Sequence, residues 1–133
     1  MPFELGPFKI TRVDDGPFRL DGGAMFSVVP RPLWAKKKEP DERNRIPMTT
    51  NCLLVERGCD LLLVDVGIGE KNDAKFRDLY GMDETATRLP AAIRAAGYDL
   101  GDVTHVLPTH LHFDHCGWNT RYEGERLVPT FLS

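Results

Sequence analysis

Three histidines and one aspartate lie within six consecutive residues of this 133-residue chain, between His110 and His115. The only other histidine is His105. Imidazole nitrogen and carboxylate oxygen are donor atoms that suit zinc and related divalent ions. In an extended segment, residues i, i+2 and i+4 point the same way, so His110, His112 and Asp114 are expected to project into one cavity. A turn after Asp114 would bring the ring of His115 beside them.

This spacing favours a centre with two metal ions. His110 and His112 can share one ion, whereas the adjacent pair Asp114 and His115 more naturally serves a second. Two ions about 3.5–4 Å apart can hold a bridging hydroxide and polarise a carbonyl or phosphoryl group. Binding to the metal lowers the pKa of water toward about 7, so the nucleophile exists at neutral pH. A set of surface histidines in a polar loop is the less favoured alternative, because four possible ligands cluster here.

Other residues that could do chemistry are weighed against simple packing. His105 has the opposite strand parity to the clustered histidines and is expected to be structural. Cys116 could be a soft metal ligand, but free cysteine more often behaves as a small buried hydrophobic residue. We call residues 110–115 the metal segment, and Trp118 is expected to pack under it. Trp34 and Met25 could line a substrate pocket or a dimer interface, and the sequence favours neither.

The metal segment follows a predicted buried strand at 103–109. Two more strands are predicted at 51–56 and 60–66, and the turn Arg57-Gly58-Cys59 joins them as a hairpin. The strand at 60–66 contains Leu-Leu-Leu-Val without alternation, which predicts burial on both faces. The chemistry therefore lies at the carboxyl end of a strand, where open α/β sheets commonly place their sites.

The remaining segments supply helices and connections. Helices are predicted at about 71–80 and 88–96, the second from apolar residues at helical spacing. Turn signals within residues 8–29 predict a β-meander or hairpin. Residues 30–47 hold four prolines and nine charged residues, which predicts a long surface loop. Residues 118–133 are expected to form a loop and the beginning of one more strand.

Composition narrows the classes of partner and location. The chain has 17 basic and 20 acidic residues, so no broad basic surface for nucleic acid is expected. Its apolar runs are too short to span a bilayer, and its first residues lack the pattern of a secretory signal. Three cysteines without metal-type CxxC spacing predict a reduced, cytoplasmic setting.

Two motifs resemble a known family. Residues 109–117 read T-H-L-H-F-D-H-C-G, which resembles the T-H-x-H-x-D-H-x-G signature of metallo-β-lactamase-fold hydrolases. Residues 63–67 read L-V-D-V-G, similar to that family's upstream L-V-D-T-G with valine for threonine. Residues 21–26 and 41–46 are similar to lactonase-like members, including quorum-quenching acyl-homoserine lactonases. The resemblance implies an α/β (α+β) fold: the N-terminal half of an αββα sandwich, with a mixed sheet, helices on one face, and residues 1–133 as one partial domain.

The resemblance also implies a role for each site residue. His110 and His112 would bind the first metal ion, and Asp114 and His115 would bind the second. Asp114 would in addition pass a proton to the leaving group. Asp65 would support the histidine loop from behind, as outer partners of metal ligands do. Without the resemblance, Asp65 could simply cap a turn. Zinc is the implied metal, two ions in the complete site, while other divalent metals or iron also suit these ligands.

The family's site is closed by later residues: a third histidine, a bridging aspartate and a final histidine. This sequence has no histidine after His115 and no aspartate after Asp114. Half a sandwich exposes a sheet face and strand edges, so a second chain, a homodimer or a C-terminal half is expected to complete it.

The predicted function is therefore hydrolysis of small-molecule ester or lactone substrates by metal-bound hydroxide, with low or absent activity for this chain alone. The alternative is a non-catalytic half-domain that binds metal weakly or depends on a partner. Phosphoester chemistry and redox use of iron are further alternatives, because the ligand set does not distinguish them.

Overall fold

The fold was analysed in a computed structural model, which describes residues 2–83 and 88–131. In chain order its elements are β1 (Phe3–Leu5), β2 (Phe8–Asp21), α1 (Gly22–Phe26), α2 (Arg31–Trp34), β3 (Arg45–Arg57), β4 (Asp60–Val64), α3 (Ala74–Leu79), α4 (Leu89–Ala95), β5 (His105–Leu107), α5 (Phe113–Cys116), β6 (Thr120–Glu123) and β7 (Arg126–Pro129). Short 3₁₀ turns occur at Leu100–Asp102 and Gly117–Asn119. None of the helices in these ranges is long and apolar enough to cross a membrane.

The main sheet has the order β1-β2-β3-β4-β5. Its first four strands are antiparallel neighbours, and β5 runs parallel to β4. The predicted mixed sheet is thus confirmed. The predicted hairpin is confirmed as well, with Arg57 opposite Asp60 and Gly58 at a φ of 60° in the turn. Two residues, Gly58 and Cys59, are enough to form this turn because Gly58 adopts the left-handed conformation without strain.

For residues 8–29 the prediction of a β-meander is confirmed, because β2 lies antiparallel between β1 and β3, whereas the alternative of a hairpin is wrong. The strand β2 continues through the turn-like run 14–17, and only its register against β3 shifts between Asp14 and Pro17. Residues that favour turns also suit such a bulge, which bends a strand without ending it. The second turn signal starts α1 instead: the side chain of Asp21 accepts a hydrogen bond from the Ala24 amide at 2.8 Å.

Three other predicted boundaries also change. The strand β3 begins at Arg45 rather than 51, because Arg45 already pairs with Asp21 of β2. The predicted loop 30–47 therefore contains the start of β3 as well as the helix α2. The strand predicted at 103–109 contracts to β5. Residues 118–131 form two strands, the separate β6–β7 hairpin, where one was expected.

Both predicted helices are confirmed as α3 and α4, and α4 covers one face of the sheet. Its residues Leu89 and Ile93 are fully buried in the main core. The other buried members of this core are Val13, Cys52, Leu54, Leu61, Leu63, Val66, Val103 and Trp118. Each fully buried leucine or isoleucine side chain contributes about 1.5–3 kcal/mol, so this face forms the hydrophobic core.

The opposite face of the sheet carries no helix among the described residues. We call it the open face; across the five strands it includes Phe3, Leu5, Phe8, Ile10, Arg12, Leu53, Val55, Leu62, Val64, His105 and Leu107. Phe3, Leu53 and Leu107 are 61%, 38% and 54% exposed. The prediction that β4 is buried on both faces is therefore wrong for this chain, because Leu62 and Val64 are only half-buried.

Candidate metal centre

The metal segment is extended only at its beginning. His112 has a φ of −69° and a ψ of 153°, and the helical turn α5 starts directly after it. The amides of His115 and Cys116 donate to the His112 carbonyl at 3.0 and 3.2 Å, which closes this turn. The prediction of one extended run from His110 to Asp114 is therefore wrong at Asp114. The turn expected for His115 is present and starts two residues earlier.

The folded segment brings all four predicted ligands together. Nε2 of His110 lies 3.0 Å from Nδ1 of His112, and the His110 and His115 ring centroids are 4.0 Å apart. Nε2 of His115 lies 3.3 Å from Oδ2 of Asp114. Two nitrogen ligands at about 2.0–2.1 Å from one tetrahedral zinc lie about 3.3–3.4 Å from each other. Both pairs therefore have a spacing close to that of two ligands on one ion.

The described residues offer the predicted ligands in pairs only. Within residues 2–83 and 88–131, no three or more His, Cys, Asp or Glu side chains are arranged to hold one ion. Zinc sites in proteins use three or four protein ligands. The residues present thus fit metal binding two at a time, and each ion would need further ligands.

Asp65 contacts the metal segment from behind. Its carboxylate accepts hydrogen bonds from the Thr109 amide at 2.7 Å and the Thr109 hydroxyl at 3.0 Å, and lies 2.8 Å from Nδ1 of His115. This contact leaves Nε2 of His115 as the nitrogen that faces Asp114. Burial raises the pKa of Asp65, but the hydrogen bonds from Thr109 and His115 outweigh it and the pKa lies below its ordinary value. The residue also adopts a φ of 56°, which is unusual outside glycine.

Two backbone segments cross closely behind α5. The Gly117 amide donates to the Gly67 carbonyl at 2.7 Å, and the Val66 amide donates to the His115 carbonyl at 2.9 Å. A Cβ on Gly117 would lie 1.8 Å from the Ile68 carbonyl oxygen. Only glycine fits this crossing, which explains physically why a glycine follows the ligand residues.

Two residues to which the sequence analysis gave no role help to hold this region: Lys71, which binds the backbone after the segment, and Phe113 within it. Nζ of Lys71 donates to the Gly117 carbonyl at 2.6 Å and to the Thr120 carbonyl at 2.7 Å. Burial lowers the pKa of this lysine. The ring of Phe113 packs on Phe76 and Tyr80, with centroids 5.2 and 4.5 Å away. A lysine and a phenylalanine are common residues, and no sequence signal marked these two.

The remaining predicted residues divide between core and surface. Trp118 is buried beneath the segment as predicted, and Cys116 is half-buried. His105 lies apart from the cluster on the open face, where it is exposed. Trp34 is buried and stacks on Phe26. Met25, by contrast, lines a cavity of about 440 Å³.

This geometry agrees with a family-level match. The sequence profile of the metallo-beta-lactamase superfamily matches residues 45–132, which include Asp65 and the whole metal segment. The chain belongs to the metallo-β-lactamase superfamily. Both motifs that predicted the family thus lie in the matched region, while β1, β2, α1 and α2 precede it.

Solved structures of superfamily members share the fold. A probable metal-dependent hydrolase from Staphylococcus aureus is 35% identical, with a TM-score of 0.79 over 86% of this chain and 42% of that chain. AidC, a dizinc quorum-quenching lactonase in complex with an N-acyl-homoserine product, is 25% identical, with a TM-score of 0.64 over 88% and 37%. The hydrolase AbOPH is 26% identical, with a TM-score of 0.64 over 88% and 38%.

The chain spans about two fifths of the length of these three superfamily structures. The predicted mixed α/β architecture and the predicted family are thereby confirmed.

Proposed function

We propose that this chain supplies two ligand pairs of a two-metal hydrolase centre that cleaves ester or lactone bonds once a complementary half completes the site. His110 and His112 form the first pair, and Asp114 and His115 form the second. The observation that carries the proposal is the ring of His115, held between the carboxylates of Asp65 and Asp114 at 2.8 and 3.3 Å. A carboxylate that orients a ligating histidine in this way is typical of metal centres.

Zinc is the proposed metal, because imidazole and carboxylate donors suit it. When bound, the ions would polarise the substrate carbonyl and lower the pKa of a water molecule. Asp114 is the residue proposed to move a proton to the leaving group. Its carboxylate lies beside His115 and its side chain is 19% exposed, so it is partly shielded from water yet reachable from the site. Asp65 orients His115 and does not contact the substrate.

A lactone is the proposed substrate class because a similar structure of 25% identity is a dizinc lactonase with a homoserine product. A cytoplasmic location is also proposed, since Cys52, Cys59 and Cys116 are all free. Cys52 is buried, and burial raises the pKa of its thiol to about 12, so it stays an unreactive thiol.

The test combines metal content with turnover. The 133-residue chain is purified, loaded with zinc and assayed on a medium-chain N-acyl-homoserine lactone, alone and mixed with the C-terminal remainder of the Staphylococcus aureus hydrolase. We expect weak zinc binding and low turnover alone, with both rising on mixing. Paired variants, His110→Ala with His112→Ala and Asp114→Ala with His115→Ala, should each lower the zinc content of the mixture by one ion.

Two outcomes would contradict the proposal. Turnover of the chain alone near that of a complete enzyme would show that no complementary half is needed. Full zinc occupancy in both paired variants would show that these residues are not the ligands. Zinc binding without hydrolysis of any lactone or ester would instead favour the second candidate, a non-catalytic half-domain that binds metal weakly. The absence of a three-ligand group among the described residues favours that candidate.

The proposed complementary half would cover the open face. This face presents Phe3, Leu53 and Leu107 to solvent, and apolar sheet faces are normally buried in a second layer. The superfamily structures described above have more than twice the length of this chain, which leaves material for such a layer.

Two adjacent residues of β3 test this proposal. Leu53 on the open face is 38% exposed, whereas Leu54 on the core face is 1% exposed. Leu53→Lys should change the free energy of unfolding of the chain alone by less than about 0.5 kcal/mol, while it weakens association with the complementary half. Leu54→Lys should instead unfold the chain, because it buries an unpaired charge. Equal association of wild type and Leu53→Lys, measured by analytical ultracentrifugation, would contradict this assignment of the open face.

A further inference from the structure

Asp15 is a buried carboxylate with an unusual number of partners. It is 2% exposed and lies in the bulge of β2. Its two oxygens accept hydrogen bonds from five N–H groups: those of Ile68, Gly69, Arg88, Leu89 and the Trp118 indole, at 2.7–3.0 Å. A buried polar group that loses its partner is strongly disfavoured, so this cluster of hydrogen bonds fixes the groups that take part.

The two oxygens of Asp15 serve different segments. Among the described residues, Oδ2 accepts from Ile68 and Gly69, which follow β4 directly behind the metal segment. Oδ1 accepts from Trp118, and from Arg88 and Leu89 at the start of α4. The helix α4 has no capping side chain of its own, so this distant carboxylate satisfies its first amides. Asp15 thus joins the β4 end, α4 and the residue Trp118 at one point.

Two sets of hydrogen bonds connect Asp15 with the backbone that carries His115, a proposed metal ligand. The segment that Oδ2 holds is hydrogen-bonded to α5 and its following turn, through Val66 to His115 and through Gly117 to Gly67. Trp118 lies in the same turn, and its indole N–H donates a hydrogen bond to Oδ1 of Asp15. The fit is tight, because a Cβ on Gly67 would lie 2.3 Å from the Cβ of Asp15.

We propose that Asp15 is a positioning residue of the metal centre: it sets the place of His115 by clamping residues 66–69 against residues 115–118. This inference rests on the proposed function of His115 as a metal ligand. It assigns a role to a residue outside the profile match at 45–132. Asp15 acts through the backbone that carries the ligand and touches neither a proposed ligand nor a substrate.

The decisive variant is Asp15→Asn. It keeps the size of the side chain but replaces one acceptor oxygen by an NH₂ group. The N–H groups that donate to that oxygen in the wild type then face another donor and lose their hydrogen bonds. Ile93→Ala is the matched control, because Ile93 is also fully buried, within α4, and shares no hydrogen bond with residues 66–69 in the part of the chain that the structure describes. Both variants lower stability, and only the first should act selectively on the metal segment.

Hydrogen exchange of the metal-free chain provides a readout that does not depend on metal. In Asp15→Asn the amides of Val66, Gly117 and Trp118 should exchange at least tenfold faster than in wild type, after normalisation to the amides of the β2–β3 ladder. In Ile93→Ala these amides and the ladder should accelerate together. If Asp15→Asn does not fold, Trp118→Phe is the second variant, because it removes one donor to Asp15 and keeps most of the ring volume. The same amides should then exchange faster relative to the ladder, with a smaller increase in rate.

Cobalt(II) titration followed by visible absorption is the second readout. The apparent dissociation constant should rise tenfold or more in Asp15→Asn and less than twofold in Ile93→Ala, in line with the effect of losing support behind a ligand. An exchange pattern in Asp15→Asn that matches Ile93→Ala would overturn the positioning role. If wild type takes up no cobalt, the proposed metal function fails, and the exchange experiment alone still decides whether Asp15 clamps the segment.

Discussion

The two ends of the metal segment differ in how they are held. His110 and His112 are exposed, and their rings contact each other at 3.0 Å. Asp114 and His115 are half-buried in α5, and the ring of His115 lies 2.8 Å from the carboxylate of Asp65. One end is therefore fixed by the fold, whereas the other is fixed mainly by its neighbouring side chains.

This difference separates two sources of order in a metal site. The side chain of His115 is ordered when the chain folds, because buried hydrogen bonds and the backbone crossing hold it in place. The side chains of His110 and His112 are exposed, so a bound metal would itself have to restrict them and would bear the loss of conformational entropy. We therefore expect the position of His115 to depend on substitutions in the surrounding fold. The positions of His110 and His112 should depend mainly on whether metal is bound.

The largest expected effect comes from the crossing behind His115. Gly117→Ala places a Cβ 1.8 Å from the Ile68 carbonyl oxygen, so the two backbone segments must separate. We expect a loss of about 3 kcal/mol or more in the free energy of unfolding, measured by urea denaturation. Gly101→Ala is the control, since its Cβ would meet nothing within 4 Å, and it should stay within about 0.5 kcal/mol of wild type. Similar losses in both variants would contradict the crossing.

The second prediction removes the charge behind His115. Asp65→Asn keeps a side chain that tolerates the φ of 56° but presents only one acceptor oxygen to Thr109 and His115. We expect zinc affinity to fall about 10–100-fold, as measured by competition with a chelating dye. Asp60→Asn, an exposed change at the other end of β4, is the control and should leave the affinity unchanged. An unchanged affinity in Asp65→Asn would remove the distinction between the two ends.

The third prediction compares single histidines in the metal-free chain. His115→Ala loses its contact with Asp65 and should cost about 1 kcal/mol of stability. His110→Ala and His112→Ala change exposed side chains and should each stay within about 0.5 kcal/mol of wild type. Thermal unfolding without metal measures all three. Equal effects at the three positions would show that the fold holds both ends alike.

The smallest expected effect is a pH dependence that Asp65 contributes. Its pKa is lower in the folded chain than the ordinary value, so its contribution to stability is present above about pH 3.9 and is lost as the pH falls through the folded pKa. The difference in the free energy of unfolding between wild type and Asp65→Asn should therefore shrink on acidification below about pH 4. A difference that grows on acidification would contradict the lowered pKa.

Local pattern predicted much of this chain correctly. The periodic apolar residues of α4 and the turn at Gly58 depend on near neighbours, and the structure contains both elements. The errors came where distant residues decide. The run 14–17 has turn-forming residues, yet it continues a strand because Asp15 is buried against residues far along the chain.

The sequence by itself determined the family, the donor types of the proposed metal site and the order of strands and helices around it. Those properties follow from residue chemistry and short-range periodicity. Only the tertiary structure decided that His115 is anchored while His110 is exposed, and that Asp15 joins three segments. These depend on long-range contacts, since burial and hydrogen-bond partners separated by 50 or more positions are set by packing rather than by local sequence.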